Sequence, residues 1–193
     1  MGFTSGATTI PGKGTILVAD PDEDVAFDFM TLDPTGDLTT LAPGWTAMGH
    51  TSRENNVSMS KDGGDITPVG SWWDPQLRQN RAETNWGLTA NSIQVDALTL
   101  GLAFGGGTLD TVEGSYDVGD IVPQDKAVFV LVVDSGGNRM GLYVPNTSVS
   151  VGDAPEFPLE TFFEVQLSFA IKNSETTGKK FRWYHPALKS VTP

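Results

Sequence analysis

Closely spaced carboxylates near the start of the chain have the spacing of a calcium-binding loop. Asp20, Asp22 and Asp24 form the D-x-D-x-D run with which such loops begin, and carboxylate oxygens are ligands that calcium prefers. The sixth position of the loop needs glycine for a sharp turn, but Val25 stands there. The pattern is therefore incomplete, and we predict no metal site.

Residue types for other chemistry are present but are not arranged for it. The chain has no cysteine and two histidines, His50 and His185, which stand too far apart in the sequence to suggest a shared metal ion. Ser52 lies close to His50, yet the G-x-S-x-G turn that presents a hydrolase nucleophile is missing. The glycines at 105–107 lack the Lys-Ser or Lys-Thr of a phosphate-binding loop. We therefore predict no enzyme activity and no cofactor.

The overall charge argues against a nucleic-acid-binding protein of the usual kind. Lys and Arg number 12 against 24 Asp and Glu, which gives a net charge of −12. Proteins that hold nucleic acid neutralise phosphates with Lys and Arg, and this chain has too few for that role. No apolar run approaches the ~20 residues that span a bilayer, and we expect no membrane association and no signal peptide.

The charge is distributed unevenly along the chain. Every charged residue from Asp20 to Asp37 is acidic, whereas Glu175 is the only acid in the C-terminal segment 172–193. We hypothesise that the acidic arm and the basic segment meet across subunits, because head-to-tail contacts need two different, complementary patches. The alternative is that both are ordinary solvated faces. The acidic arm candidates are Asp20, Asp22, Glu23, Asp24 and Asp28; the basic candidates are Lys179, Lys180 and Arg182.

A β-hairpin is predicted over residues 54–71. Val57 and Met59 alternate with serines, and Ile66 and Val69 follow a glycine-containing tip. Glycine can take the positive φ that tight hairpin turns need. The predicted tip consists of Lys61, Asp62, Gly63, Gly64 and Asp65, with Trp72 and Trp73 closing the unit.

The rest of the chain predicts further strands and one helix. Residues 91–104 have apolar side chains at helical spacing, with Asn91 or Ser92 as the cap. The run 127–133 has no polar residue and predicts a central strand, and residues 163–171 alternate between apolar and polar. Shorter strands are expected at 81–88, 109–116 and near Trp183, and residues 1–15 are expected to form a flexible N-terminal arm.

Several short motifs in this order resemble the major tail tube subunits of long-tailed siphophages that infect actinobacteria. The motifs are Gly49–Glu54, Asp62–Asp65, Gly70–Trp72 and the pair Leu77-Arg78. Such subunits carry a GHTSR-like segment before a hairpin, then a G-x-W and a leucine-arginine pair. The similarity is dense over residues 44–78, looser through 91–106 and the strands beyond, and faint at both termini.

The resemblance implies a mainly β fold, a β-sandwich or partly closed barrel with one flanking helix and extended terminal arms, over a single domain 1–193. It implies hexameric rings of this chain, stacked into a virion tail tube that is assembled in the host cytoplasm. Expected partners are further copies, the tape measure, tail terminator and distal tail proteins, and double-stranded DNA in transit without specific binding. The inter-subunit contact candidates are His50, Arg53, Lys61, Asp62, Gly63, Gly64, Asp65, Trp72, Lys179, Lys180 and Arg182.

The five tryptophans leave a second function open. Aromatic side chains on a β-sandwich can line a sugar-binding face, as in carbohydrate-binding modules. The competing interpretation places them in the core and at interfaces, where aromatics are enriched.

The acidity of the chain fits a tube subunit, because a basic channel wall would hold DNA at many phosphates whereas an acidic wall lets it slide.

Overall fold

Antiparallel strands dominate the computed structural model, which describes residues 8–190. The strands are β1 Pro11–Ala19, β2 Thr46–Ala47, β3 Ser58–Gly63, β4 Ile66–Val69, β5 Arg78–Arg81, β6 Thr84–Ser92, β7 Thr108–Asp110, β8 Ser115–Asp117, β9 Gln124–Asp134, β10 Arg139–Val151, β11 Val165–Ile171 and β12 Arg182–Tyr184. The helices are α1 Leu38–Leu41, α2 Ala97–Phe104 and a final 3₁₀ helix Pro186–Ser190.

Eight of the strands form one sheet, in the order β2-β1-β9-β10-β11-β6-β3, with β12 paired to β10. β10 changes partner along its length, and its register with β9 shifts between Val144 and Thr147. Its first half pairs with β12 and its second half with β11, while β9 follows the other edge throughout. Over residues 8–190 the sheets do not close into a barrel. The predicted mainly β fold with a flanking helix is confirmed.

Each face of this sheet carries its own hydrophobic core. Leu102 and Ala103 of α2 pack on one face, against side chains such as Val128 and Phe169. The other face is covered by the loop between β1 and β2, from which Phe29 and Trp45 pack on the ring of Phe129 and its neighbours. β9 lies between these layers with residues 127–131 buried, as predicted for a central strand. The alternation predicted for β11 is also confirmed.

The helix is shorter than predicted. α2 begins at Ala97, with Asp96 as its cap: the Asp96 carboxylate accepts the Thr99 N–H at 2.8 Å. The expected start at residue 91 was wrong because Asn91 and Ser92 still belong to β6, where they pair with Gln166 and Val165 of β11. A long-range strand partner therefore outweighs the local helical spacing of residues 91–96.

The hairpin predicted over residues 54–71 was wrong, because both of its strands lie in one arm of a longer hairpin whose other arm is β5 and β6. β3 pairs with β6 and β4 pairs with β5, so β3 and β4 do not pair with each other. Gly64 donates its N–H to the Glu83 carbonyl and Ala82 donates to Asp65, which carries the two-stranded ribbon past the glycines. The turn lies beyond Val69, at residues 70–77. The expected tip at residues 61–65 was wrong, because its glycines serve as a bend within one long hairpin.

Other boundaries also differ from those predicted. The predicted strand 109–116 is the small hairpin of β7 and β8, because residues 111–114 turn the chain. The predicted strand 81–88 divides into β5 and β6 at Ala82 and Glu83. Residues 11–15 of the predicted flexible arm are part of β1 and pair with β9. Residues 1–7 of that arm and residues 191–193 of the basic segment lie outside the described residues.

Candidate assembly surfaces

The segment Gly49–Arg53 is fixed to the end of β6 by backbone geometry. Gly49 has φ +80, and a Cβ there would collide with the Gln94 side chain. His50 donates its N–H to Gln94 Oε1 at 3.2 Å, and its carbonyl accepts the Ile93 N–H at 3.0 Å. The His50 and Arg53 side chains are both exposed. The segment is therefore a rigid support that exposes the imidazole of His50 and the guanidinium of Arg53.

Glu164 joins this support to the sheet. Its carboxylate accepts Ser52 Oγ at 2.6 Å, Asn55 Nδ2 at 2.8 Å and Asn91 Nδ2 at 2.9 Å. Burial would raise the pKa of Glu164, but these three hydrogen bonds outweigh it and hold the pKa below its usual value. With only amide and hydroxyl donors around it, Glu164 stays ionised and acts as a structural acceptor. Sequence reasoning missed this residue; its only signal is a lone charge in an alternating strand.

The acidic stretch and the basic segment lie side by side within one chain. Asp20 pairs with Lys126 at 2.8 Å, and the hydrogen bond from Lys126 lowers the pKa of Asp20. The Asp22 carboxylate accepts the Glu175 N–H at 3.0 Å. Lys180 donates to the Thr84 carbonyl at 2.7 Å, inside the same protomer. Lys179 is exposed and lines a cavity of about 280 Å³ together with Asp22 and other residues of both segments.

Two aromatic side chains anchor the backbone of the acidic stretch by hydrogen bonds. Tyr143 donates its hydroxyl to the Glu23 carbonyl at 2.7 Å, and Trp45 donates to the Asp24 carbonyl at 3.2 Å. Burial raises the pKa of Tyr143 to about 12, with Asp22 and Asp24 adding to the effect, so its proton stays in this bond. Arg182 donates to the Tyr184 hydroxyl at 3.3 Å, which raises the pKa of Arg182. Asp28 accepts the Met30 N–H and begins a local turn.

The ribbon beyond Gly64 projects from the body. We call residues 65–83, with β4, β5 and their turn, the outer hairpin; each of its residues is exposed. Trp72 and Trp73 at the turn are 107% and 97% exposed. Among the predicted tip residues, Lys61 and Asp62 lie on β3 opposite Trp86 and Asn85, near the base of the ribbon. The structure thus places Trp72 at the end of the ribbon and the residues around Gly63 at its bend.

One face of the sheet is built from small polar side chains. Two rows of paired residues cross β10, β11, β6 and β3, and their neighbours in each strand point into the core. We call these residues the serine face: Ser150, Ser168, Thr89 and Ser58 in one row, Ser148, Ala170, Gly87 and Ser60 in the next. At its rim the Lys172 ammonium is paired with Asp125 at 2.7 Å. The face itself therefore offers no basic group to an anion.

The five tryptophans do not share one surface: Trp72 and Trp73 are neighbours at the turn of the outer hairpin, and the other three lie elsewhere in the fold. Trp45 is buried under the loop, Trp86 packs on Phe181 in the other core at a ring distance of 5.4 Å, and Trp183 lies on β12. Within residues 8–190 no cluster of three His, Asp or Glu side chains is placed to hold a metal ion. No helix in that range is long and apolar enough to cross a membrane.

Comparison with known proteins assigns the chain to a family. A family model described as phage tail tube protein matches residues 1–193. The chain belongs to the phage tail tube protein family. It is similar to the major tail protein Gp23 of Mycobacterium phage D29, with 30% identity over 80% of this chain and 77% of the relative. The Gp23 protein of Mycobacterium phage L5 is 31% identical over 79% of this chain and 76% of the relative.

The tail tube subunit is therefore a structural component of the phage virion and not an enzyme. Its surfaces need explanations in terms of contacts between proteins, since no reaction has to be catalysed. The serine face, the outer hairpin and the juxtaposed charged segments are the described surfaces with that potential.

Proposed function

We propose that this tail tube subunit assembles into hexameric rings that stack into the tail tube, with the serine face lining the channel. The observation that carries the proposal is the composition of that face. The face crosses four paired strands in regular register, its side chains are small, and it belongs to the sheet and not to loops. A channel wall made this way has no long side chains that could obstruct a duplex.

Electrostatics support the same face. Double-stranded DNA carries one charge per ~1.7 Å of its axis, so each basic group on the wall would add a point of retention. The nearest base at the rim, Lys172, is paired with Asp125, and Glu164 at the end of β11 is held ionised. The subunit carries a net charge of −12. A duplex passing this wall meets small dipoles and negative charge, which lets it slide during ejection.

Free sheet edges support ring formation. β3 pairs only with β6, and residues 11–15 of β1 pair only with β9, so two edges of the described sheet are open. Exposed edges are templates for pairing with another chain. Arg53 and the first residues of β1 line a groove of about 520 Å³ beside one of these edges. Neighbours in a ring would cover both edges at once, which also leaves no edge for aggregation.

The charged segments would add a contact between copies. Lys179 lies beside the acidic stretch of its own chain and is exposed, whereas Lys180 is already bonded to Thr84. Charge reversal at Lys179 should weaken assembly at low salt, and unchanged assembly would contradict this contact. We further expect contacts with the tape measure, tail terminator and distal tail proteins at the tube ends, and assembly in the host cytoplasm.

Electron microscopy of the purified subunit and a genome-ejection assay together test the proposal. Purified wild-type chain should form six-fold rings and tubes in negative stain; a chain that stays monomeric at high concentration would contradict it. Ser168→Lys combined with Ala170→Lys should leave assembly intact and slow genome release at low salt. Thr111→Lys combined with Val112→Lys, on the exposed turn after β7, is the matched control because it adds the same two charges. Equal release rates for the two variants would exclude the serine face as the channel wall.

A further inference from the structure

The outer hairpin carries a large apolar surface that its own protomer leaves uncovered. Trp72 and Trp73 at its turn are joined by Val69 and Leu77, all exposed. Large exposed apolar patches rimmed by polar residues mark interaction sites. The strands beside the turn add Arg78 and Arg81, and within the described residues neither guanidinium has an ion-pair partner. The end of the hairpin is therefore apolar, with Asp74 in the turn and the two arginines on the strand beside it.

A second exposed apolar surface lies in the loop between β10 and β11. Residues 153–163 expose Phe157, Leu159 and Phe162, and Pro155 and Pro158 stiffen the backbone between them. Phe162 and both prolines line a cavity of about 280 Å³. We call this segment the receiving loop. Asp153, Glu156 and Glu160 are its charged residues, all three are exposed, and their charge is opposite to that of Arg78 and Arg81 on the hairpin.

These two surfaces stand at opposite ends of the same ribbon. The cavity of the receiving loop is bounded by Asn91 at the far end of β6, and the ribbon runs from there through β6 and β5 to the turn. From Asn91 to Arg78 the chain spans about thirteen residues, at most ~43 Å at ~3.3 Å per residue. All residues of the outer hairpin are exposed, so it is not folded back on its own body. The two surfaces cannot cover each other within one protomer.

We propose that the outer hairpin of one copy inserts Trp72 and Trp73 into the receiving loop of a second copy. The rings of the hairpin pack on Phe162 and the prolines, and Arg78 and Arg81 pair with Glu156 and Glu160. Such a contact is heterologous, because each copy binds one neighbour through its hairpin and another through its receiving loop. The contact therefore propagates along an axis without closing on itself. The inference rests on the proposed tube and assigns the two surfaces that join successive layers of it.

Substitution on each surface gives the first test. Trp72→Ala with Trp73→Ala should raise the critical concentration for tube formation at least ~tenfold, the scale of a tryptophan hot spot. Val112→Ala, an exposed apolar residue outside both surfaces, should leave it unchanged. Arg78→Glu with Arg81→Glu should also weaken assembly, and adding Glu156→Lys with Glu160→Lys should restore it. Absence of that rescue would contradict the pairing of these charges.

Mixing defective variants tests the head-to-tail geometry. The Trp72→Ala/Trp73→Ala variant keeps its receiving loop, and the Glu156→Lys/Glu160→Lys variant carrying also Phe162→Ala keeps its hairpin. In the mixture, the intact hairpin of one variant binds the intact receiving loop of the other, and neither copy then has an intact surface left. The mixture should therefore form limited complexes and no long tubes. Long tubes from the mixture would overturn the proposal.

Cross-linking locates the contact directly, because the chain has no cysteine of its own. Ser71→Cys beside the tryptophans and Thr161→Cys at the cavity should form disulfide-linked dimers when the two variants are co-assembled and oxidised. Ser71→Cys with Glu113→Cys is the control pair and should not cross-link. Tubes that form without the Ser71–Thr161 cross-link would refute this contact while leaving the tube proposal intact. Absence of wild-type tubes would instead refute the proposed function.

Discussion

Two β-hairpins of this subunit use their aromatic residues in opposite ways. In the hairpin of β9 and β10, Phe129 is fully buried and packs with Phe27 at 5.1 Å and Tyr184 at 5.8 Å. In the outer hairpin, Trp72 and Trp73 contact solvent. Burial of a large aromatic side chain stabilises a fold by removing its apolar area from water. The first hairpin therefore stabilises the protomer, and the second can stabilise only an assembly.

The difference separates folding from assembly along one chain. Residues that hold β9 and β10 have partners on both sheet faces, so a change there alters the free energy of unfolding of the single subunit. Residues of the outer hairpin have few partners of their own and can change without affecting the body. If the proposed contact is made, such a subunit folds as a single chain and carries its assembly surface on a separate projection.

The largest expected effect is in the hairpin of β9 and β10, which we call the inner hairpin. Phe129→Ala should lower the free energy of unfolding by about 3–5 kcal/mol, because it removes a buried ring and leaves a cavity. Phe157→Ala, whose ring is mostly exposed, should change it by less than about 0.5 kcal/mol. Urea denaturation at concentrations below assembly measures both. Similar losses for the two variants would remove the distinction between folding and assembly residues.

β9 of the inner hairpin and β11 of the same sheet were also the strands most readable from the sequence. An uninterrupted apolar run such as 127–133 has to be covered on both sides, and the alternation of β11 fixes which side chains face the core. The outer hairpin was misread because Lys61–Asp65 has strong local turn chemistry. What overrides it is the pairing of Gly63 with Thr84, a partner remote in sequence that local patterns do not reveal.

The candidate surfaces followed the same division. Trp72 was named as a contact candidate from the G-x-W motif of the resemblance, and the charged segments were named from residue type, since runs of one charge stand out in any sequence; their contacts stay predictions. Glu164 and the serine face were not found, because their meaning depends on register across four strands. A lone glutamate and scattered serines carry no signal until the strands are aligned side by side.

Backbone strain should give the second largest effect. Gly49→Ala should destabilise the fold by about 1–3 kcal/mol, since it forces a side chain into a positive φ and into the Gln94 side chain. Gly137→Ala is a matched control: its φ is +84, but no atom lies within 4 Å of the added Cβ. It isolates the strain, which costs about 1 kcal/mol. Equal losses, measured by thermal denaturation, would mean that contact with Gln94 contributes nothing.

A smaller effect is expected from the charge on Glu164. Its pKa is lowered in the folded state, so the ionised carboxylate stabilises the fold above its usual pKa, and this stabilisation is lost as pH falls. The loss should begin near the usual value of 4.5 and continue to the lower folded-state pKa. Glu164→Gln should lack this part of the pH dependence and cost on the order of 1 kcal/mol at pH 7. Identical pH profiles for wild type and variant would contradict the role of Ser52, Asn55 and Asn91 as stabilising donors.

The smallest effect on stability is expected from the change that removes the most residues. Asp65 and Ala82 are joined by a backbone hydrogen bond of 2.9 Å, so residues 66–81 can be replaced by the two-residue turn Asn-Gly without stretching the ribbon. Since all the deleted side chains are exposed, the free energy of unfolding should change by less than about 0.5 kcal/mol. Assembly should be lost nevertheless. If the shortened subunit unfolded more easily by several kcal/mol, the outer hairpin would be part of the folding unit, and the contrast with β9 and β10 would fail.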